Sequence, residues 1–244
     1  MHATDIPGPG RRRFRPTLWA TVFTVPALLI LLGLGTWQMQ RLVWKEALLA
    51  EVAARQAEPA VDLPTDIADP PSWRFRKVVV TGVFDHAKEM HLFAHTDRGN
   101  AGYQVIVPLR RPDGSWVLVN RGWVPTDRKD PATRAEGQVT GTVTITGTAR
   151  PKWDRHMFLP DNDPAGNHWF YGDLPAMAAH AGIAASPLFV EADATPNPGG
   201  FPIGGQTPTK TIANNHLEYA LTWYMLAVAL GAIFFFYHWR RDPA

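Results

Sequence analysis

Two long apolar stretches, one near each end of the chain, frame a middle segment in which hydrophobic and polar residues alternate. Thr17 to Thr36 (TLWATVFTVPALLILLGLGT) contains no charged residue. A helix of about 20 residues rises roughly 30 Å, the thickness of a bilayer's hydrocarbon core. Pro26 lies inside this stretch and predicts a bend, which membrane helices tolerate when neighbours satisfy the freed carbonyl. The helical period continues through Trp37, Gln40, Arg41, Trp44 and Leu48 to about Ala57, so residues 37–58 read as a charged, amphipathic extension that Pro59 ends. A cleaved leader would have an apolar run of only about 7–15 residues, and its pattern would not continue in this way. The second stretch, Leu217 to Tyr237, carries a lone charge at Glu218, and its helix is predicted over 215–237.

The segment between, 59–214, changes period. Residues Pro59 to Pro71 are rich in Pro and Asp and read as a linker. Strand-like alternation follows at Arg76–Phe84, Glu89–His95, Tyr103–Leu109, Trp116–Arg121 and Gln138–Ala149, with a last short strand at Leu188–Glu191. Pro112-Asp113-Gly114 is a turn signal joining two of these in a hairpin. Arg121-Gly122-Trp123-Val124-Pro125 reads as a strand end closed by a turn. Asp173 followed by Pro175 predicts the start of a short helix to Ala181. Thr195 to Gly205, rich in Pro and Gly, reads as a connector. The predicted fold is a membrane α-hairpin of two transmembrane helices plus a mainly antiparallel β extramembrane domain, with barrel and sandwich both compatible with the periodicity.

Charge orients the hairpin. Arg11, Arg12, Arg13 and Arg15 precede the first span, and His238, Arg240 and Arg241 follow the second. By the positive-inside rule the basic tail 1–16 and the tail 238–244 both lie on the cytoplasmic side, and the β domain lies opposite. In a bacterium that places the chain in the cytoplasmic (inner) membrane with a periplasmic domain. Small residues Ala220, Ala227 and Gly231 share a stripe of the second helix that Gly33 of the first is placed to face, allowing close approach of the backbones.

Composition narrows the chemistry. There are no cysteines, which excludes disulfide frameworks, thiolate zinc sites and CxxCH haem attachment. The net charge of +2, with no basic patch interleaved with aromatics, argues against a nucleic-acid partner. No nucleophile elbow, phosphate loop, dinucleotide fingerprint or HExxH is present. Nine histidines remain. His86, His91 and His95, with Asp97 nearby, allow a metal site to be drawn. Residues four apart on a strand lie about 13 Å apart, however, so surface histidines are the simpler reading. His156, His168 and His180 read as structural or exposed. His216 differs because it opens the second span, with Tyr219, Ala220, Trp223 and Ala227 on its helical face. It reads either as an interfacial anchor or as the ligand of a flat, apolar macrocycle such as haem.

Four blocks then carry a resemblance. Trp37-Gln38, Arg41 and Trp44-Lys45 resemble the WQ-x2-R-x2-WK signature of the Surfeit locus protein 1 family. Asn120-Arg121-Gly122-Trp123-Val124-Pro125 is similar to its NRGWVP stretch. Phe158, Pro160, Asp161-Asn162 and Trp169 resemble a third segment, and Asn214-Asn215-His216 through Tyr224 matches the family's final block. The blocks follow the family's order over nearly the whole chain.

The resemblance implies an assembly factor for haem-copper cytochrome c oxidase, not a catalyst, with haem a as cofactor and the oxidase catalytic subunit, haem A synthase and membrane lipid as partners. It implies His216 as an axial iron ligand, with Tyr219, Trp223, Trp37, Gln38 and Arg41 around the cofactor. Arg41 would pair with a haem propionate or a lipid phosphate. Glu218 stands where the family leads one to expect an amide.

Overall fold

The computed structural model describes residues 12–95, 99–151, 153, 155, 159–205 and 214–241. Along the chain run β1 (Arg12–Phe14), α1 (Leu18–Ala57), β2 (Val61–Asp62), β3 (Lys77–Phe84), β4 (Met90–His95), β5 (Ala101–Arg110), β6 (Trp116–Pro125), β7 (Thr142–Arg150), β8 (His168–Trp169), α2 (Leu174–His180), β9 (Ala185–Ala192), α3 (His216–His238) and β10 (Trp239–Arg241). The described residues form two compact units: those up to Ala50 with those from Asn214 onward, and those from Glu51 to Gly205.

In the first unit, α1 and α3 are both long and apolar enough to cross a membrane, with most of their apolar surface exposed. A helix apolar all round is suited to lipid rather than water. Pro26 lies within α1, which runs without interruption through both predicted segments, 17–36 and 37–58. Beyond the apolar parts, β1 pairs antiparallel with β10. Next to this ribbon His238 is buried; its Nδ1–H donates to the Phe234 carbonyl at 2.8 Å, and its Nε2 meets the Thr17 hydroxyl at 3.1 Å.

The second unit is a barrel. The sheet runs β2-β3-β7-β9-β6-β5-β4-β8, and a further pairing of β3 with β5 at Val83↔Arg110 and Phe84↔Leu109 closes a ring of five strands. Gly82 permits that closure, because a Cβ there would lie 2.4 Å from the Arg110 carbonyl oxygen. Most pairings are antiparallel; β2–β3, β4–β8 and β6–β9 are parallel.

Period two sorts side chains into two cores. Val105, Val107, Val117, Val119, Leu188 and Val190 fill one cluster with Val78 and Val80. The intervening Ile106, Leu118 and Phe189 fill another with Met90, Trp169 and Met177 of α2. Strands covered on both faces read as continuous apolar runs, and the middle parts of β5 and β6 do so.

Several elements differ from expectation. The Pro/Asp-rich stretch after Pro59 is not a free linker: Leu63 and Ile67 are buried in the core and β2 pairs with β3. The predicted strand at 138–149 starts only at Thr142, because Pro131–Gly137 winds as a 3-10 helix whose Asp130 accepts from the Ala132 N–H. The strand at Trp116 runs on to Pro125 instead of turning at Arg121. Ile106 pairs with Asn120 and Val105 with Gly122, so Arg121 is the extra residue of a bulge. The predicted strand at 188–191 spans Ala185–Ala192. The connector after Thr195 is tied down by Ile203, which exchanges both backbone hydrogen bonds with Trp123 at 2.8 and 2.9 Å. The last turn of α1 belongs to the barrel unit: Arg55 donates to the Ser72 carbonyl and Gln56 to the Phe75 carbonyl, each at 2.8 Å.

Candidate functional site

The two apolar helices meet along a seam set by helical spacing. Gly35, Gln38 and Leu42 contribute from α1; His216, Ala220, Tyr224 and Ala227 contribute from α3. Gly35 is buried because the Tyr224 ring fills its missing side-chain space, and a Cβ there would lie 2.6 Å from the ring. The Thr36 hydroxyl donates to the Leu32 carbonyl at 2.9 Å, so the Tyr224 hydroxyl, 3.3 Å away, is the donor between the two. Gly33, expected in this role, faces open space, and so does Gly231. The close approach is two residues further along α1.

At the end of this seam, His216 Nδ1 lies 2.7 Å from Gln38 Oε1. An amide oxygen only accepts, so Nδ1 carries a proton, and in the neutral ring that leaves the lone pair on Nε2. An imidazole oriented in this way, through the nitrogen that does not bind, is the usual arrangement for a histidine metal ligand. The Oδ1 of Asn214, two residues earlier, is buried with no partner among the described residues. A histidine held through Nδ1, with no partner on Nε2 among the described residues, on an apolar helix pair, has the donor chemistry that an iron porphyrin needs.

The other expected residues are arranged more loosely. Trp37 and Tyr219 are mostly exposed and Trp223 is half-buried. Arg41 is exposed, and its guanidinium stacks over Trp44 at 4.3 Å. Glu218 is exposed in the first turn of α3, so the departure from the expected amide buries no charge. Gly35 and Tyr224 were absent from the expected set. The signal was the helical register between the glycine and the final motif.

The barrel holds a second polar cluster that the sequence did not announce. Glu89 and Arg134 form a buried ion pair through both carboxylate oxygens. His91 donates from Nε2 to Glu89 Oε1 at 2.8 Å. Burial alone would raise the Glu89 pKa, but hydrogen bonds from His91 and Arg134 and their charges hold it to about 2. Arg121, also buried, donates to Asn197 Oδ1 at 2.7 Å and lies over the Phe84 ring at 4.7 Å. Its pKa is drawn down to about 10, chiefly by burial, with Glu89 opposing and Arg134 adding to the shift.

The metal reading of the strand histidines does not hold together. His86 donates to the Val139 carbonyl at 2.9 Å, His91 is committed to Glu89, and His95 packs on Phe93. Among the described residues no group of three or more His, Cys, Asp or Glu can hold a metal ion. Asp97, His156 and Phe158 lie outside the described residues.

Two apolar helices flanking a closed β ring define a two-span membrane protein with a β extramembrane domain. The profile of the SURF1 family matches residues 25–228. Surfeit locus protein 1 of Mus musculus is 41% identical over 226 residues, covering 86% of this chain and 73% of the mouse protein. The human Surfeit locus protein 1 is 39% identical over 227 residues, covering 86% and 75%. A SURF1-like protein of Monosiga brevicollis is 40% identical over 231 residues, covering 89% and 86%. The chain belongs to the SURF1 family.

Proposed function

We propose that this protein is a non-catalytic assembly factor for haem-copper cytochrome c oxidase that binds haem a at the His216 end of its helix pair. The observation that carries the reading is the 2.7 Å contact between His216 Nδ1 and Gln38 Oε1. It leaves Nε2 as the one nitrogen able to ligate. Haem a, when bound, would supply the iron that the oxidase uses in electron transfer and oxygen reduction. The protein's own part is binding and orientation. Gln38 holds the imidazole ring and its tautomer, and the Gly35–Tyr224 contact sets the distance between the helices that carry the pair. Trp37, Tyr219 and Trp223 offer apolar surface at the same level of the helices, and Arg41 offers a cation for a propionate. The partners of this reading are the oxidase catalytic subunit, haem A synthase and membrane lipid. Its location is a bacterial cytoplasmic membrane with both termini inside.

The test is purification from a host that makes haem A, with absorption spectra of wild type, His216→Ala and Gln38→Ala. Wild type is expected to carry haem a, His216→Ala to lose it, and Gln38→Ala to retain less, with a shifted Soret band. Equal haem loading in His216→Ala would overturn the ligand assignment. Haem-free wild type that still copurifies with the oxidase subunit would replace this reading with a cofactor-free membrane chaperone that holds the nascent subunit.

A further inference from the structure

The Asn120-Arg121-Gly122 step inside β6 has no part in the helix pair, and its geometry sets one charged side chain apart. Arg121 is the extra residue of the bulge, between the Ile106–Asn120 and Val105–Gly122 pairs. Asn120 holds the kink by accepting the Gly122 N–H on its Oδ1 at 3.0 Å. Gly122 has φ of 122°, a conformation that strains any side chain, and a Cβ there would lie 2.2 Å from the Ile203 carbonyl oxygen. Three consecutive residues thus take Arg121 out of the ladder and bring its guanidinium to Asn197.

That guanidinium is buried without an anion. Arg121 is 2% exposed. Its Nη2 donates to Asn197 Oδ1 at 2.7 Å, and its Cζ lies 4.7 Å from the centre of the Phe84 ring. Nη1 is buried and has no acceptor. Among the described residues no carboxylate pairs with Arg121. Glu89 is committed to Arg134 and His91, and Asp193 accepts the Thr195 N–H. A charge taken out of water is costly unless another charge meets it, and a neutral amide oxygen with a ring face compensates only in part. Burial accordingly draws the Arg121 pKa down to about 10.

Arg121 and Asn197 line a cleft of about 320 Å³ with Val143, Ile145, Asp193 and Pro196. This is the lower end of the size range of ligand sites. A guanidinium presents parallel N–H groups that match the two oxygens of a carboxylate. Asn197 Oδ1 stands on one of these groups, and Nη1 is the other. A carboxylate that displaced the amide would meet both and neutralise the buried charge. Val143, Ile145 and Pro196 offer apolar surface to a short branched stem. Asp193, half-buried in the same wall, opposes a second negative charge such as a phosphate dianion carries.

We infer that Arg121 anchors a carboxylate-binding site in this cleft, which takes a monocarboxylate on a short apolar stem in place of the Asn197 amide. The carboxylate belongs either to a free acid or to the C-terminus of a polypeptide. The site is independent of the haem reading, since every residue in it belongs to the barrel unit.

The experiment uses the full chain in lipid nanodiscs and follows its melting temperature at constant ionic strength. Isovalerate is the probe, and isovaleramide, the same shape without the charge, is its control. Isovalerate should raise the melting temperature along a saturable curve, and isovaleramide should leave it unchanged. No response to isovalerate, an equal response to isovaleramide, or an equal response to inorganic phosphate would each overturn the proposal. Arg121→Gln should raise the half-saturating concentration at least about tenfold. Asn197→Asp leaves the buried arginine in place and supplies a carboxylate from the chain itself, so it should abolish the response. A response of Asn197→Asp equal to that of wild type would overturn the proposal even where Arg121→Gln does not fold. Acetyl-Ala-Ala-Val with a free C-terminus then identifies the source. Half-saturation at least about tenfold below that of isovalerate assigns the site to a polypeptide C-terminus, and a smaller gain assigns it to a free acid. A response to the amidated peptide equal to that of the free peptide would sink both.

Discussion

At the scale of single residues, the sequence singled out His216 but not what holds it. An imidazole at the start of an apolar helix was legible; its partner 178 positions away was legible only as a member of a motif. Glu89 and Arg134 were not legible at all. One precedes a strand, the other sits in a polar run, and only the barrel brings them together. Their burial makes the pair sensitive to charge. The Glu89 carboxyl is held to about 2 against an ordinary 4.5, so its contribution to stability is complete above about pH 4.5. It disappears as pH falls toward 2, a loss of about 3 kcal/mol. Asp113, held to about 2 by hydrogen bonds from Ser115 and Thr65, titrates in the same direction at the surface. Glu89→Gln separates the two. The variant should melt well below wild type at pH 7, since removing one partner of a buried pair costs about 3–5 kcal/mol. Its melting temperature should then fall less than that of wild type between pH 5 and 2.5. Parallel curves for the two proteins would show that Glu89 does not carry the acid sensitivity.

At the scale of elements, length and apolarity defined the two helices, and alternation located the strands. What periodicity missed was set by tertiary contacts. The strand through Arg121 continues because a bulge absorbs one residue, and the stretch after Pro59 is pinned because Leu63 and Ile67 find the core. Barrel and sandwich could not be told apart from the pattern, because the deciding feature is a two-pair closure between β3 and β5. The helix pair shows the same limit. Small residues on both spans announced a close approach, but Gly33 and Gly35 differ only in which one faces Tyr224. Gly35→Val should therefore lower the melting temperature in nanodiscs and reduce haem loading, whereas Gly33→Val should change neither. Adding Tyr224→Ala to Gly35→Val should restore part of the loss, because the two side chains compete for one space. Strict additivity in this cycle would show that the contact does not govern the pair.

At the scale of the whole molecule, the arrangement of charge carries the remaining prediction. Arginines precede the first span and follow the second, and the segment between the spans has acidic and basic residues interspersed. If both ends remain on the cytoplasmic side, the barrel must fold on the other side, where the mature chain meets no cytosolic chaperones. A closed ring with two sorted cores suits a domain that has to fold after translocation. The absence of cysteine makes the topology directly measurable. Asp127→Cys, on a highly exposed side chain of the barrel unit, should react with a membrane-impermeant maleimide once the outer membrane of intact cells is opened. Ala244→Cys should react only after the inner membrane is also breached. In the proposed orientation the basic clusters set this order, so replacing Arg11, Arg12, Arg13 and Arg15 by Gln should scramble it and make both cysteines partly accessible. Unchanged labelling in that variant would assign the orientation to the basic residues after α3 alone, and labelling of Ala244→Cys in intact cells would invert the topology altogether.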